Sequence, residues 1–238
     1  MPIKLFECIL WGILAVKILR LKNYRVNQLL SLGFLSFAIY FLLESFSFTF
    51  AATSPENFVI MRSVWKIELF FSTFSAFFMF LAVFIIRKGE KSLTLINVGI
   101  LIVLFLVAAI MLMIFFPMEV VDAENRIIDP ATFPPKGVFY AKYKITTIGA
   151  IISAIPLLFY FIGCFYLFPL YRVTADRDIR QKMLLMILGL LFVPFGYLYY
   201  ILLGLVNAHP DFGISMIGHI FWISAPLLIY FSQRKNRE

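Results

Sequence analysis

Residues Ser63 to Ile86 read SVWKIELFFSTFSAFFMFLAVFII, and the fold follows from how this stretch is interpreted. A helix needs about 20 mostly apolar residues to cross the hydrocarbon of a bilayer, and this one has them. Steps of three and four residues connect Trp65, Glu68, Ser72, Ser75 and Met79 along one helical face, while Phe, Leu, Ile, Val and Ala fill the others. A carboxylate at membrane depth costs a few kcal/mol or more unless it faces protein or water. Glu68 is therefore expected to point into a bundle, with this helix central and the others packed around its polar stripe.

The composition agrees. The chain has 238 residues, of which 62% are hydrophobic, only 14% are charged and 29 are Phe; a soluble domain of this size does not have that make-up. A net charge of +8 would suit nucleic acid, but the basic residues border hydrophobic segments, so no nucleic-acid partner is expected. Two cysteines, Cys8 and Cys164, make neither a disulfide framework nor a zinc site.

Seven spans are predicted, making residues 1–238 one all-α, seven-transmembrane helix bundle: Ile3–Leu21, Gln28–Ala51, Ser63–Ile86, Leu93–Phe116, Tyr143–Phe168, Met183–Leu205 and Ile214–Ser232. The first carries Lys4, Glu7 and Lys17; its lysines are expected to snorkel to the headgroups, and six spans remain if it lies flat. It makes a poor signal peptide, because its charge follows the apolar run and no small-residue cleavage site comes after.

Orientation follows from Lys and Arg in the short connections. Lys17, Arg20, Lys22, Arg25, Arg87, Lys88, Lys91, Arg172, Arg177, Arg180, Lys182, Arg234, Lys235 and Arg237 lie on one side, two thirds of the 21 basic residues. That bias predicts an outside N-terminus and a cytoplasmic C-terminus in a multi-pass protein of the cell membrane. The long outer connection, about 117–142, has two short β-type runs between Met118 and Asp129 and is expected to hold a small hairpin. On the inner side the largest connection is Tyr171 to Lys182, too short for a catalytic domain.

With that orientation, Glu44 on a Gly33, Ser36, Tyr40, Glu44, Ser47 stripe shares the outer half of the membrane with Glu68. Descending from the same side, the last helix brings His219 and Trp222, and Glu7 starts near that surface. The sixth rises through Gly189, Val193, Tyr197, Tyr200 and Gly204, and the fifth descends through Thr146, Gly149, Ser153, Pro156 and Tyr160. This convergence predicts a ligand site or proton-sensing pocket of Glu44, Glu68, Tyr40, Trp65, Ser72, Tyr197, Tyr200, His219 and Trp222, since ionisable groups inside a bundle mark functional sites. The plainer reading is that the same groups hydrogen-bond between helices and hold them together. Lys66 falls off the Trp65–Glu68 face and is expected to snorkel outward. Pro156, Pro194 and Pro226 interrupt the last three helices and offer hinges.

No cofactor or metal is expected, nor enzymatic activity. The last helix lacks a lysine for a retinal Schiff base, His209 and His219 cannot supply the axial pairs of a multi-haem cytochrome, and phosphate-binding glycine loops, HExxH and GxSxG are all missing.

Three segments carry a family likeness: SFAIYFLLES (Ser36–Ser45), VWKIELFFSTFSAFFMFLAVF (Val64–Phe84) and DRDIRQKMLLMILGLLFVPFGYLYY (Asp176–Tyr200). With the large outer loop, they resemble the seven-helix N-terminal sensory region of histidine kinases and other prokaryotic signalling proteins. The resemblance implies a membrane sensor with its pocket toward the outside. No kinase or cyclase follows before Glu238, so output is expected through a separate signalling protein, docking on Arg172, Arg177, Arg180 and Lys182, or the chain is part of a longer one. The expected function is a receptor-like sensor of a small amphipathic or lipid-derived molecule, with membrane lipid as its surroundings. A structural or assembly subunit of a membrane complex and a small-molecule transporter are the alternatives; the almost wholly apolar inner halves of the third and fourth helices speak against transport.

Overall fold

The computed structural model describes residues 2–21, 24–49, 55–92, 94–115, 119–121, 140–142, 147–205 and 212–233. Among these are seven helices: α1 (Pro2–Leu19), α2 (Arg25–Thr49), α3 (Pro55–Lys88), α4 (Leu95–Ile114), α5 (Thr147–Val173), α6 (Arg177–Leu205) and α7 (Phe212–Ser232). Within α2 to α7 lie six segments long and apolar enough to cross a membrane, the make-up of a multi-pass membrane protein.

The helices close into a ring. Each of α1, α2, α3, α5, α6 and α7 packs on the next, α7 returns to α1, and α4 leans on α3 and α5 from outside. That corrects the expectation of a central α3, which is one wall of the ring. Its predicted stripe does face inward, with Trp65, Glu68, Ser72, Ser75 and Met79 all buried. The main core joins side chains of all six ring helices, among them Trp11, Phe34, Phe37, Phe41, Phe80, Tyr160, Val193 and Trp222. Away from the ring centre, Phe70, Phe74, Phe77 and Phe78 of α3 meet Phe105 of α4 in a second apolar cluster.

Several boundaries move for local reasons. α3 begins at Pro55, eight residues before Ser63, because proline fits the first helical position, where no N–H partner is needed. It ends at Gly89, whose φ of 83° and N–H to the Ile85 carbonyl, 2.7 Å, form a left-handed cap. Gly89→Ala is expected to cost about 1 kcal/mol, since a Cβ opposes that φ; thermal unfolding in detergent checks it. Thr94 caps α4 by accepting from the Asn97 N–H, 3.3 Å.

α5 continues through Pro169 to Val173, and α6 starts at Arg177 rather than Met183. The Asp176 carboxylate caps α6, accepting from the N–H groups of Asp178 at 2.8 Å and Ile179 at 3.1 Å. The Tyr171–Lys182 connection thus shrinks to three residues, Thr174 to Asp176. Arg172 sits on the last turn of α5, and Arg177, Arg180 and Lys182 on the first turns of α6.

In the long connection, β1 (Glu119–Val121) pairs antiparallel with β2 (Tyr140–Lys142), with Val120 opposite Ala141. The partner of the first run is therefore the segment just before α5. The second run expected there, around Ile127 and Ile128, lies outside the described residues, as do Tyr143, Thr146 and His209.

Candidate functional site: a buried carboxylate and aromatic cluster

α1 turns its polar face to the protein. Lys4, Glu7, Trp11, Leu14, Ala15 and Ile18 are buried, a three-and-four spacing, while Leu5, Phe6, Ile9, Ile13, Val16 and Leu19 point outward. Snorkelling of Lys4 is thus corrected: its ammonium lies 2.5 Å from Oε1 of Glu44 on α2. The same ammonium stands 5.3 Å from the Trp222 ring and 5.8 Å from the Phe41 ring, both within cation–π range. A buried cation is tolerable only with such partners.

One turn further along α1, Oε1 of Glu7 lies 2.8 Å from Nδ1 of His219 on α7. This supplies the interhelical partner that His219 was expected to need, and closes α1 onto α7. The two pairs together tie α1 to both of its neighbours in the ring.

Trp222 is the floor of the cluster. Its indole N–H donates to the Val193 carbonyl, 3.2 Å, next to Pro194, and its ring stacks on Tyr200 at 5.1 Å with 26° between planes. Phe41 and Tyr197 each approach it to 5.3 Å. Close approach of α6 and α7 depends on two glycines: a Cβ on Gly196 would run into the Trp222 indole, and one on Gly218 into the Tyr200 ring. The Tyr200 hydroxyl donates to the Ser215 carbonyl, 2.9 Å, a second α6–α7 tie of the kind polar groups make between membrane helices.

Glu44 and Glu68, expected as charge or proton partners of each other, are both buried, with a cation placed on Glu44. Both lie within electrostatic range of the Tyr197 hydroxyl, as do Tyr160 and Ser72. Tyr197 also faces Phe37 and Tyr40, ring centroids 5.9 and 6.1 Å away. Of the nine predicted ligand residues, Glu44, Tyr40, Tyr197, Tyr200, His219 and Trp222 join in one contiguous group through ring contacts and the Lys4 ammonium. Ser72 borders it, its own hydroxyl donating to the Leu69 carbonyl at 2.9 Å. Trp65 is buried one turn before Glu68 on the same face of α3.

Five members lie outside the nine predicted residues: Lys4, Glu7, Trp11, Phe37 and Phe41, Glu7 having been placed only near the outer surface. The spacing of Lys4, Glu7 and Trp11 was readable by the periodicity already applied to α3. Trp11 lies 4.7 Å from Phe37, and Phe37 lies 5.1 Å from Phe41, so the rings form a continuous wall along α1 and α2.

Deeper in the bundle, the Ser75 and Tyr160 hydroxyls meet at 2.9 Å between α3 and α5. Ser75→Ala is expected to cost about 1–3 kcal/mol by stranding the phenol, and Ser75→Ala with Tyr160→Phe much less; unfolding of the two proteins compares them. The basic residues proposed for docking are at a distance: Arg172, Arg177 and Arg180 are exposed and Lys182 half-buried, and Arg177 precedes Tyr197 by 20 helical positions, roughly 30 Å at 1.5 Å per residue.

No family model, curated protein or solved structure matches the chain.

Proposed function

We propose that the chain is a receptor-like sensor of the cell membrane, non-enzymatic, that takes a small amphipathic molecule into the carboxylate and aromatic cluster and signals through a separate protein. The observation that carries this reading is the gathering of Lys4, Glu7, Glu44, Tyr197, Tyr200, His219 and Trp222 from four helices into one buried group. Ionisable groups kept at such depth mark sites rather than scaffolding. On this reading α1 is a seventh span, with N-terminus outside and C-terminus in the cytoplasm; its 18 residues cover about 27 Å, and its outward face is wholly apolar.

Occupancy of the cluster would alter packing of α5 to α7, where Pro156, Pro194 and Pro226 interrupt the helices, and so reposition the basic residues at the α5–α6 turn. A ligand shifts such an equilibrium only by its differential affinity for the two packings. Native mass spectrometry of gently extracted protein tests the reading. A retained small molecule of defined mass is expected, absent from a Glu44→Gln/Glu68→Gln variant; a bare protein whose thermal unfolding the double substitution leaves unchanged would contradict it.

One observation favours the assembly-subunit reading: α4 leaves Ile100, Val103, Leu104, Val107, Ile110 and Ile114 exposed, an outward apolar face suited to docking as well as to lipid.

A further inference from the structure

We propose that the cluster recognises an organic ammonium ion carried on an apolar body, and that the Lys4 side chain occupies the ammonium position in this structure. The inference rests on the sensing reading and names the chemical class of its ligand.

The group around Lys4 Nζ is built as a cation receptor. It has one carboxylate in direct contact, Glu44, and the Glu7 carboxyl group one turn further along α1, held against His219. The faces of Trp222 and Phe41 lie 5.3 and 5.8 Å away, and Tyr40 reaches both rings, at 6.2 and 5.0 Å. Carboxylates combined with several aromatic faces are how proteins hold ammonium groups, because the ring quadrupole attracts a cation whose water has been removed. The far oxygen of Glu7 and the indole N–H of Trp11, both fully buried, meet no hydrogen-bond partner among the described residues. Protein groups inside a membrane are normally satisfied, so the unmatched Glu7 oxygen is a spare acceptor for a cationic guest, whereas the Trp11 N–H, a donor, does not bear on a cation.

Lys4 is suited to yield its place. It lies in the first turn of α1, on a long flexible stem able to carry its charge to the headgroups. A free ammonium ion entering the cage would therefore release Lys4, and with it the tie between α1 and α2.

The test uses benzyltrimethylammonium as the cation and benzyl alcohol as its neutral counterpart, with the full chain in neutral-lipid nanodiscs. Tryptophan fluorescence, which reads Trp11 and Trp222 at the site, is expected to change saturably with the cation and not with the alcohol. Affinity should rise about tenfold in Lys4→Met, where the competing ammonium is gone, and fall about tenfold or more in Glu44→Gln. A simple structural ion pair does not predict the tighter binding. If Lys4→Met does not fold, acetylation of the wild-type protein by N-acetoxysuccinimide takes over: Lys4 labelling should rise at least fivefold at saturating cation, with Lys66 labelling unchanged.

Equal responses to cation and alcohol, or unchanged affinity in Lys4→Met with unchanged Lys4 labelling, overturn the proposal. A retained native ligand that is neutral or anionic, with no response to the cation, overturns the ammonium class while leaving the sensing reading intact; absence of both removes both.

Discussion

Lys4→Met is expected to destabilise the protein by about 3–5 kcal/mol, the cost of breaking a buried pair and leaving its partner charged in the interior. The estimate follows from where the partner sits: Glu44 is buried on α2, one turn beyond Phe41, whose ring faces the same Lys4 ammonium. Lys66→Met is the control. Lys66 lies two residues before Glu68 on α3 but is only half-buried, and its removal should stay within about 0.5 kcal/mol, as for most surface substitutions. Thermal unfolding in mild detergent compares the two. Similar losses at Lys4 and Lys66 would mean that Lys4 is solvated and the cluster is not held by charge.

Trp222→Ala is expected to have an effect of the same size, about 3–5 kcal/mol, as for other buried large-to-small changes. Its ring touches Tyr40, Phe41, Tyr197, Tyr200 and His219, so truncation opens the floor of the cluster on the α2, α6 and α7 sides at once. Trp222→Phe keeps an aromatic floor and loses the donor to Val193; a loss of about 1 kcal/mol is expected from the missing hydrogen bond, plus the smaller ring. Should the Phe variant unfold as readily as the Ala variant, the indole N–H to Val193 would matter more than the packing, contrary to this account.

How much of this was readable beforehand depends on which physical signal each feature leaves in one chain. The inward stripe of α3 was readable because periodicity belongs to a single helix: Trp65, Glu68, Ser72, Ser75 and Met79 share a face whatever surrounds them. The stripe of α2 was readable in the same way. The place of α3 in the ring was not, since it depends on the neighbours of six other helices, and hydropathy says nothing about which helices touch.

Lys4 illustrates the limit differently. A lysine near a helix end satisfies the physics equally well by reaching the headgroups or by finding a carboxylate, and the carboxylate that decides it is 40 residues away on another helix. Glu7 and His219 are 212 residues apart and were placed only at a common depth. By contrast, the early start of α6 was available locally. Asp176 followed by a charged stretch is an N-cap signal, but the charged residues Arg177 to Lys182 were read as loop because they interrupt the apolar run. A helix leaving the membrane keeps its backbone bonds while changing its side chains, so hydrophobicity alone ends it too soon.

The double-mutant cycle across Lys4 and Glu44 tests the central claim most directly. Lys4→Met, Glu44→Gln and the combined variant are unfolded under one condition, and the interaction energy is taken from the four stabilities. Coupling of about 2–3 kcal/mol is expected, with the combined variant far less damaged than the sum of its parts, as contacting buried groups behave. Additivity within about 0.5 kcal/mol, the behaviour of distant sites, would mean that α1 and α2 do not bring these charges together.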